Sequence, residues 1–394
     1  MRDPFIKPLA ILHKLQQNGY LAYFVGGSVR DFIIGRPIGD IDIATSARPE
    51  DVVRLFPKVI EVGIEHGTVV VVLENEPYEV TTFRTESDYK DFRRPEEVTF
   101  ISSLEGDLER RDFTMNAIAM DENETLIDPF GGRDAIKRGI IETVGNADER
   151  FSEDALRMMR AVRFMSQLSF TITPDVKEAI RRNRHLLQNI AMERISVEFQ
   201  KLMLGNKATE AFRTIVDTGL LEVLPLHEKK ELIEYDWTTI SEETSAWSLL
   251  CLILEVEDTA LFLRKWKLSN KRIKETEKTV VFYRSIKEWT PFAIYQSGLE
   301  VALRVNHLKR ILQGVQSEEE KIRLIYESLP IYSPKDIEAN GKDLVSWGNR
   351  AQGPWIAQCI QELSENIVCG KIENDRNVIK EWVSKWSLKF DESC

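Results

Sequence analysis

The chain has 394 residues, of which 43% are hydrophobic and 30% charged, and its formal net charge is −11. This length accommodates two or more domains with separate cores, and the composition is typical of a soluble globular protein. No apolar run reaches the length of a membrane span and the first residues lack a signal-peptide core, so we expect a cytoplasmic protein. The four widely spaced cysteines form no metal-ligand pattern, so we do not expect zinc chemistry.

The first informative stretch joins a glycine turn to a pair of carboxylates. Residues 23–25 predict a short strand that ends on Gly26 and Gly27, with a helix leaving the turn. Asp40 and Asp42 then alternate with two isoleucines, so that the isoleucines enter a core and both carboxylates project from the opposite face. Such an oxygen-rich site suits Mg²⁺, which needs only one or two carboxylates when phosphate oxygens supply further ligands.

This stretch carries a family resemblance. An isolated Asp-x-Asp is often only a solvated face, but Gly-Gly-x-Val-Arg-Asp at 26–31 followed by Asp-x-Asp resembles the first motif of the DNA polymerase β nucleotidyltransferase superfamily. Its form is similar to the class II branch, which holds tRNA nucleotidyltransferases and bacterial poly(A) polymerases. The resemblance implies that Asp40 and Asp42 are catalytic and hold Mg²⁺, and that Gly27 and Arg30 bind a triphosphate.

The rest of the first third predicts a small mixed sheet. Residues 4–19 and 49–56 have helical spacing, and β-branched or aromatic runs at 59–62, 68–73 and 78–84 predict strands. Glu79 faces away from the neighbouring apolar positions of its strand. The resemblance implies a third catalytic carboxylate there, and a plain solvent-facing glutamate is the alternative.

A polar segment at 87–98 lacks either period and is expected to be a mobile loop. It matches in position and residues the flexible loop that, in enzymes adding a complete CCA, is associated with the switch to adding A. Relatives that add only CC typically lack this motif.

Two further motifs resemble the same family. Residues 109–117 are similar to its second motif, which implies that Arg111 contacts triphosphate oxygens and that Asp112 and Asn116 lie near the sugar. The alternative for Asp112 is that it caps a helix. Residues 128–134 resemble the third motif, a turn expected to join the catalytic part to the helices that follow.

From 149 onward the pattern stays helical, and one basic row stands out. Asp154, Arg157 and Arg160 recur every three residues and Arg163 extends the row, so we expect them to share a helix face, opposite an apolar face that includes Phe164. A surface salt bridge is the alternative for such a row.

Base chemistry gives the row a sharper interpretation. Cytosine and adenine both present an amino donor beside a ring-nitrogen acceptor, whereas uracil and guanine present the reverse order. A carboxylate next to a guanidinium therefore accepts C and A, and each bidentate match is worth ~1–3 kcal/mol of discrimination. The sequence resembles the Glu-Asp-x-x-Arg motif to which the family assigns this task, which implies base reading by Asp154 and Arg157. Arg160 and Arg163 would hold the triphosphate or support Arg157.

We therefore predict an α+β protein that begins with a small mixed-sheet nucleotidyltransferase head (1–148). An all-α part follows, divided into a neck for nucleotide selection (149–205), a helical body (206–320) and a helical tail (321–394). The resemblance implies that the tail binds the tRNA elbow. Residues 151–210 hold ten Lys/Arg against seven Asp/Glu, so this segment is basic in an acidic chain and suits RNA.

The predicted function is template-independent, Mg²⁺-dependent addition of CCA to the 3′ end of tRNA from CTP and ATP. The alternatives are an A-adding or CC-adding tRNA nucleotidyltransferase, a poly(A) polymerase and a catalytically silent RNA-binding module. The resemblance implies contact with the tRNA acceptor end and elbow, and no membrane partner is expected. Both a monomer and a homodimer agree with the sequence.

Overall fold

A computed structural model describes residues 3–89, 95–226 and 230–391. The predicted α+β class is confirmed, because the strands lie in the first half of the described chain and the second half is helical. The strands are β1 (Ala22–Val25), β2 (Asp42–Thr45), β3 (Val59–Ile60), β4 (Thr68–Leu73), β5 (Glu76–Thr82), β6 (Arg84–Tyr89), β7 (Pro95–Phe100), β8 (Ala119–Met120), β9 (Leu126–Ile127), β10 (Ile140–Ile141) and β11 (Thr171–Ile172).

The α-helices follow in chain order, and the first and third of them lie within the segments predicted at 4–19 and 49–56. Pro49 is the first residue of the third helix, a position that proline favours. The helices are α1 (Leu9–Gln17), α2 (Gly27–Ile34), α3 (Pro49–Leu55), α4 (Leu104–Glu109), α5 (Gly132–Arg138), α6 (Ala147–Glu153), α7 (Leu156–Leu168), α8 (Pro174–Asn183), α9 (Met192–Met203), α10 (Ala208–Thr218), α11 (Glu243–Ile253), α12 (Thr259–Lys265), α13 (Asn270–Ser285), α14 (Pro291–Ser297), α15 (Leu299–Gln313), α16 (Glu319–Glu327), α17 (Gly341–Gly348), α18 (Trp355–Val368) and α19 (Arg376–Asp391).

The main sheet has the strand order β3-β4-β5-β2-β1-β8-β9. The pair β2–β5 is parallel and the other neighbours are antiparallel. In this register Val25 lies opposite Asp42, and Asp42 lies opposite Glu79. The sheet thus brings the end of β1, the start of β2 and the middle of β5 to one place.

One face of the sheet is covered by α1 and α3, whose apolar side chains join the sheet in a single core. Phe5, just before α1, packs on Phe24 of β1 with ring centroids 4.8 Å apart. Ile41 and Ile43 are both buried in this core. The predicted period-two alternation is therefore confirmed, and it leaves the intervening carboxylate on the other side.

The prediction of a loop at 87–98 is wrong for the residues of this segment that the structure describes. Strands β6 and β7 pair antiparallel, from Arg84 opposite Phe100 to Tyr89 opposite Pro95, in a two-stranded sheet of their own. Neither strand of this ribbon belongs to the main sheet, so its residues need not show the alternating apolar pattern of a strand that covers a core. Residues 90–94 of the predicted loop lie outside the described residues.

The chain divides into two compact units. The first comprises 1–246 with 265–268, and the second comprises 247–264 with 269–394 and has its own apolar core around Trp289 and Ile294. The finer boundaries predicted at 148, 205 and 320 stay a prediction. Within the described ranges, no helix is long and apolar enough to cross a membrane.

Candidate active site

The glycine turn comes so close to Arg111 and Asp42 that it leaves little room for a side chain. Gly26 has φ 74°, and a Cβ at this position would lie 3.0 Å from Arg111 Nη1 and 3.4 Å from Asp42 Oδ2. Glycine tolerates both the positive φ and the close approach. Helix α2 begins at the next residue, Gly27, so its N-terminal backbone amides start beside the Asp42 carboxylate.

Three acidic side chains interact at this end of the sheet. Asp42 is half-buried, and burial together with the negative charges of Glu79 and Asp40 raises its pKa to about 6, against the opposing effect of Arg111. Glu79 and Asp40 are both exposed. The prediction that Glu79 faces away from Val80 and Thr82 is confirmed, since both of those residues are buried.

The carboxylates fit a hard divalent cation. They provide oxygen ligands, and a shared cation would offset the repulsion that raises the pKa of Asp42. In the described part of the chain, no three Asp, Glu, His or Cys side chains form a ready-made metal cage. The pair Asp40 and Asp42 matches a site in which the substrate completes the coordination.

Arg111 is held by a fully buried acid. Asp107 accepts hydrogen bonds from Arg110 at 2.8 Å and from Arg111 at 3.2 Å, and these two charges keep its pKa lowered although burial acts to raise it. The Nε of Arg111 is buried and has no hydrogen-bond partner among the residues that the structure describes. Arg111 is therefore held in place with donor capacity left for an anion.

Asp112, Asn116, Arg30 and Arg160 form one hydrogen-bonded chain. Arg30 Nη1 donates to Asn116 Oδ1 at 2.7 Å, Asn116 Nδ2 donates to Asp112 Oδ1 at 3.0 Å, and Arg160 Nε donates to Asp112 Oδ2 at 2.7 Å. Burial alone would raise the pKa of Asp112, but the charge of Arg160 and the Asn116 hydrogen bond outweigh it and lower the pKa to about 2. The carboxylate is thus ionised and fixed.

The predicted helical row of Asp154 with the arginines is wrong in one respect. Asp154 is not in a helix, because α6 ends before it and its backbone is extended, with φ −137° and ψ 102°. Its Oδ1 accepts the backbone N–H of Leu156, the first residue of α7, at 3.0 Å. Its Oδ2 accepts from Arg194 at 2.9 Å.

Arg157 has partners of its own in α6 and in the Arg111 segment. Its Nη1 donates to Glu153 at 2.5 Å and its Nη2 donates to the carbonyl of Arg110 at 2.9 Å. Arg157 is buried and forms its salt bridge with Glu153, and Asp154 forms its own with Arg194.

Phe164 was expected on the apolar face of α7, but three guanidinium groups surround its ring. The centroid lies 3.8 Å from Arg163, 5.0 Å from Arg30 and 5.4 Å from Arg160. Arg163 also pairs with Glu198 of α9 and donates to Gln167 at 2.7 Å. The Phe164 ring thus makes cation–π contacts with three positive side chains, two of them on α7 itself.

These side chains line one cavity of about 730 Å³. Its lining includes every predicted site residue except Glu79, and the members of that set are Gly27, Arg30, Asp40, Asp42, Arg111, Asp112, Asn116, Asp154, Arg157, Arg160 and Arg163. The motifs that are more than a hundred residues apart in sequence therefore share one space.

Sequence reasoning missed several lining residues, namely Arg110, Phe164, Gln167, Arg194 and Lys201. The basic excess of 151–210 pointed to this region as a whole but did not select single positions in it. The clustered arginines of α8 and the turn after it lie elsewhere, since Arg181 pairs with Glu178 and Arg184 with Glu222.

Comparison with known proteins decides the family. Family models match at residues 22–142 ("Poly A polymerase head domain"), 169–230 ("Probable RNA and SrmB- binding site of polymerase A") and 238–383 (tRNA nucleotidyltransferase domain 2). The chain is 48% identical to the CCA-adding enzyme of Geobacillus kaustophilus, with 100% of each chain covered, and 48% identical to that of Bacillus cytotoxicus, with 96% of this chain and 98% of the other covered.

The chain belongs to the CCA-adding enzyme family. The crystal structure of the Bacillus stearothermophilus CCA-adding enzyme in complex with CTP matches all of both chains with a TM-score of 0.91 at 44% identity. A CCA-adding enzyme in complex with ATP matches with a TM-score of 0.65 at 19% identity, which shows the shared fold alone. The predicted family, fold class, enzyme class and CCA-adding function are confirmed, and members of this nucleotidyltransferase family are generally metal-dependent.

Proposed function

We propose that the cavity transfers C, C and A in turn from CTP and ATP to the 3′ end of tRNA, with Mg²⁺ held by Asp40 and Asp42. The observation that carries this proposal is the single cavity in which an acidic end, a cluster of guanidinium groups and the Asp154–Arg157 segment meet. An acidic pair suits the metal, the guanidinium groups suit a triphosphate, and a carboxylate beside a guanidinium suits the base edges of C and A.

The reaction is an in-line phosphoryl displacement. The 3′ hydroxyl of the tRNA attacks the α-phosphorus and gives up its proton to the surrounding water, the bond from that phosphorus to the bridging oxygen breaks, and pyrophosphate leaves. Bound Mg²⁺ supplies electrophilic stabilisation of the attacking and leaving oxygens. Asp42 and Asp40 would hold the metal ion. Glu79, opposite Asp42 in the sheet, adds to the negative charge that attracts the cation.

The triphosphate is assigned to the positive side of the cavity. Gly27 offers backbone amides at the start of α2, and Arg111 offers a buried Nε with no protein partner. Arg30 already donates to Asp31 and Asn116, and Arg163 to Glu198 and Gln167, so these two arginines contribute charge from a fixed scaffold. Asp112 and Asn116 are assigned to the sugar, where ionised and amide oxygens accept hydroxyl hydrogens.

Base selection is assigned to Asp154 and Arg157. The carboxylate accepts from the exocyclic amine and the guanidinium donates to the ring nitrogen, which admits C and A and rejects U and G. Arg157 is oriented for this by Glu153 and by the Arg110 carbonyl. Arg160 supports the site through Asp112.

The tRNA is assigned to both units of the chain, with its acceptor end at the cavity and its elbow at the helical tail. The similarity of residues 238–383 to tRNA nucleotidyltransferase domain 2 supports this assignment. A tRNA substrate also supports a cytoplasmic site of action. Both one copy and a homodimer agree with this assignment.

The test is incorporation of labelled CTP and ATP into a tRNA transcript that lacks CCA. Wild-type protein should extend it only with a divalent cation, and Asp42→Asn should lower the rate by at least about a hundredfold. Asp51→Asn is the control, because Asp51 lies on α3 in a surface pair with Arg54 outside the cavity. Absence of any incorporation by the wild-type protein would remove the enzyme proposal.

A further inference from the structure

Asp154 occupies a position that its own backbone does not fix. It lies between α6 and α7 with extended dihedral angles, so no helical turn limits where its carboxylate points. Two hydrogen bonds fix it instead, one from the backbone N–H of Leu156 to Oδ1 and one from Arg194 to Oδ2. Of these two, only the bond from Arg194 is made by a side chain that a substitution can remove.

Arg194 reaches Asp154 from a different helix. It is on α9, 40 residues along the chain from Asp154, and α9 contacts α7, where Glu198 of α9 pairs with Arg163 of α7. Its Nη2 donates to Asp154 at 2.9 Å, while its Nη1 is buried and finds no acceptor within the described part of the chain. Both residues line the cavity.

A carboxylate has about four lone-pair positions, so the two bonds that hold Asp154 leave capacity for a donor on a ligand. A buried nitrogen with no acceptor is uncommon in folded proteins and is expected where a ligand completes the site. The pair thus presents an oriented acceptor, beside an unused donor, to whatever enters the cavity.

We propose that Arg194 is a positioning residue for base selection: it holds the Asp154 carboxylate where it accepts the amino group of cytosine or adenine. The inference rests on the proposed base-reading role of Asp154 and extends it. A rotated carboxylate still fits in the cavity, but it no longer favours an amino donor over the carbonyl of uracil. Loss of Arg194 therefore relaxes the choice of base more than it slows transfer.

The experiment measures kcat/KM for CTP and for UTP in single-nucleotide extension of a tRNA transcript that ends at the discriminator base. Arg194→Ala should lower the CTP-to-UTP ratio about tenfold or more, the range of one bidentate base contact. Arg194→Lys should restore most of the ratio, because the observed contact uses a single nitrogen that an ammonium group can replace. Arg194→Met keeps the length and packing of the side chain without its donors and should lower the ratio as Arg194→Ala does, so the test stays valid if the Ala variant fails to fold.

A matched control removes a similar ion pair outside the cavity. Arg184 pairs with Glu222 at 3.0 Å and its side chain is 34% exposed, against 2.9 Å and 28% for Arg194 with Asp154. Arg184→Ala should leave the CTP-to-UTP ratio unchanged. Equal loss of kcat/KM for both nucleotides in Arg194→Ala would overturn the inference and mark Arg194 as a residue of general structure or phosphate binding.

Asp154→Ala separates this inference from the proposed function. If Asp154→Ala lowers the ratio and Arg194→Ala does not, only the positioning role fails. If Asp154→Ala leaves the ratio unchanged, the base-reading role of Asp154 fails and the inference fails with it. When both hold, the double variant should show no further loss beyond Asp154→Ala, since coupled residues are not additive.

Discussion

At the scale of single residues, the surroundings of Asp42 disfavour its ionised form. Its folded-state pKa of about 6 lies above the ordinary 3.8 because of burial and because of the charges of Glu79 and Asp40. A group whose pKa rises on folding contributes stability that is complete below the unfolded value and is lost as pH rises through the folded value. The ionised Asp42 therefore destabilises the metal-free protein above pH 6.

The cost of ionising Asp42 in the folded protein gives a prediction for stability. In EDTA at pH 8, Asp42→Asn should be more stable than wild type by about 2 kcal/mol, since one pKa unit is worth ~1.4 kcal/mol and the site is open to water on one side. The difference should shrink as pH falls from 7 to 4. Thermal unfolding at several pH values measures it, and a difference that stays constant with pH would contradict the account.

The sequence predicted the burial pattern around Asp42, but it did not predict the backbone of Asp154 or the contact of Arg194. Ile41 and Ile43 alternate with the carboxylates, and that period directly fixes which face is buried. The position of Asp154 was not predictable in this way, because its backbone is extended after the end of α6 and its side chain accepts the backbone N–H of Leu156. Arg194 had no local signal at all, since its partner is 40 residues away.

At the scale of elements, helix α7 supplies the positive wall of the cavity. Arg160 and Arg163 lie one turn apart on it, and Phe164 presents its ring to both and to Arg30 of α2. The helical period predicted the shared face of the arginines. It also placed Phe164 in the core, where the ring is buried as expected but lies against charge rather than only against other apolar groups.

Replacement of this ring tests the role of the helix. Phe164→Leu removes three cation–π contacts, each worth about 0.5–1 kcal/mol or more, and should raise the KM for CTP and for ATP about fivefold without changing the CTP-to-UTP ratio. Steady-state extension kinetics measure both values. Phe170→Leu is the control, because Phe170 is similarly buried but does not line the cavity. A KM equal to that of the control would contradict a role in triphosphate binding.

At the scale of the whole molecule, the two units are interleaved in sequence. Residues 265–268 belong to the first unit, although the chain on both sides of them belongs to the second. Within the first unit, the Trp266 ring stacks on Phe199 with centroids 4.5 Å apart, and the side chain is fully buried. No motif in the sequence marks this return, since a buried tryptophan in a helical stretch fits any core.

The first unit should depend on this return for its stability. Trp266→Ala should lower the free energy of unfolding of that unit by about 3 kcal/mol or more, the usual cost of removing a buried aromatic ring. Urea unfolding followed by circular dichroism measures it. Leu261→Ala, at a side chain that is 54% exposed in the neighbouring helix α12, should change it by less than about 0.5 kcal/mol. Equal effects of the two substitutions would contradict the assignment of 265–268.

The most direct measurement for the account as a whole is extension of three tRNA transcripts, ending at the discriminator base, at C and at CC, with all four nucleotides present and the products sequenced. We expect every transcript to end in CCA, because one cavity holds the metal carboxylates, the triphosphate side and the base-reading pair. Incorporation of U or G as readily as C, or extension of the CC-ended transcript alone, would contradict it.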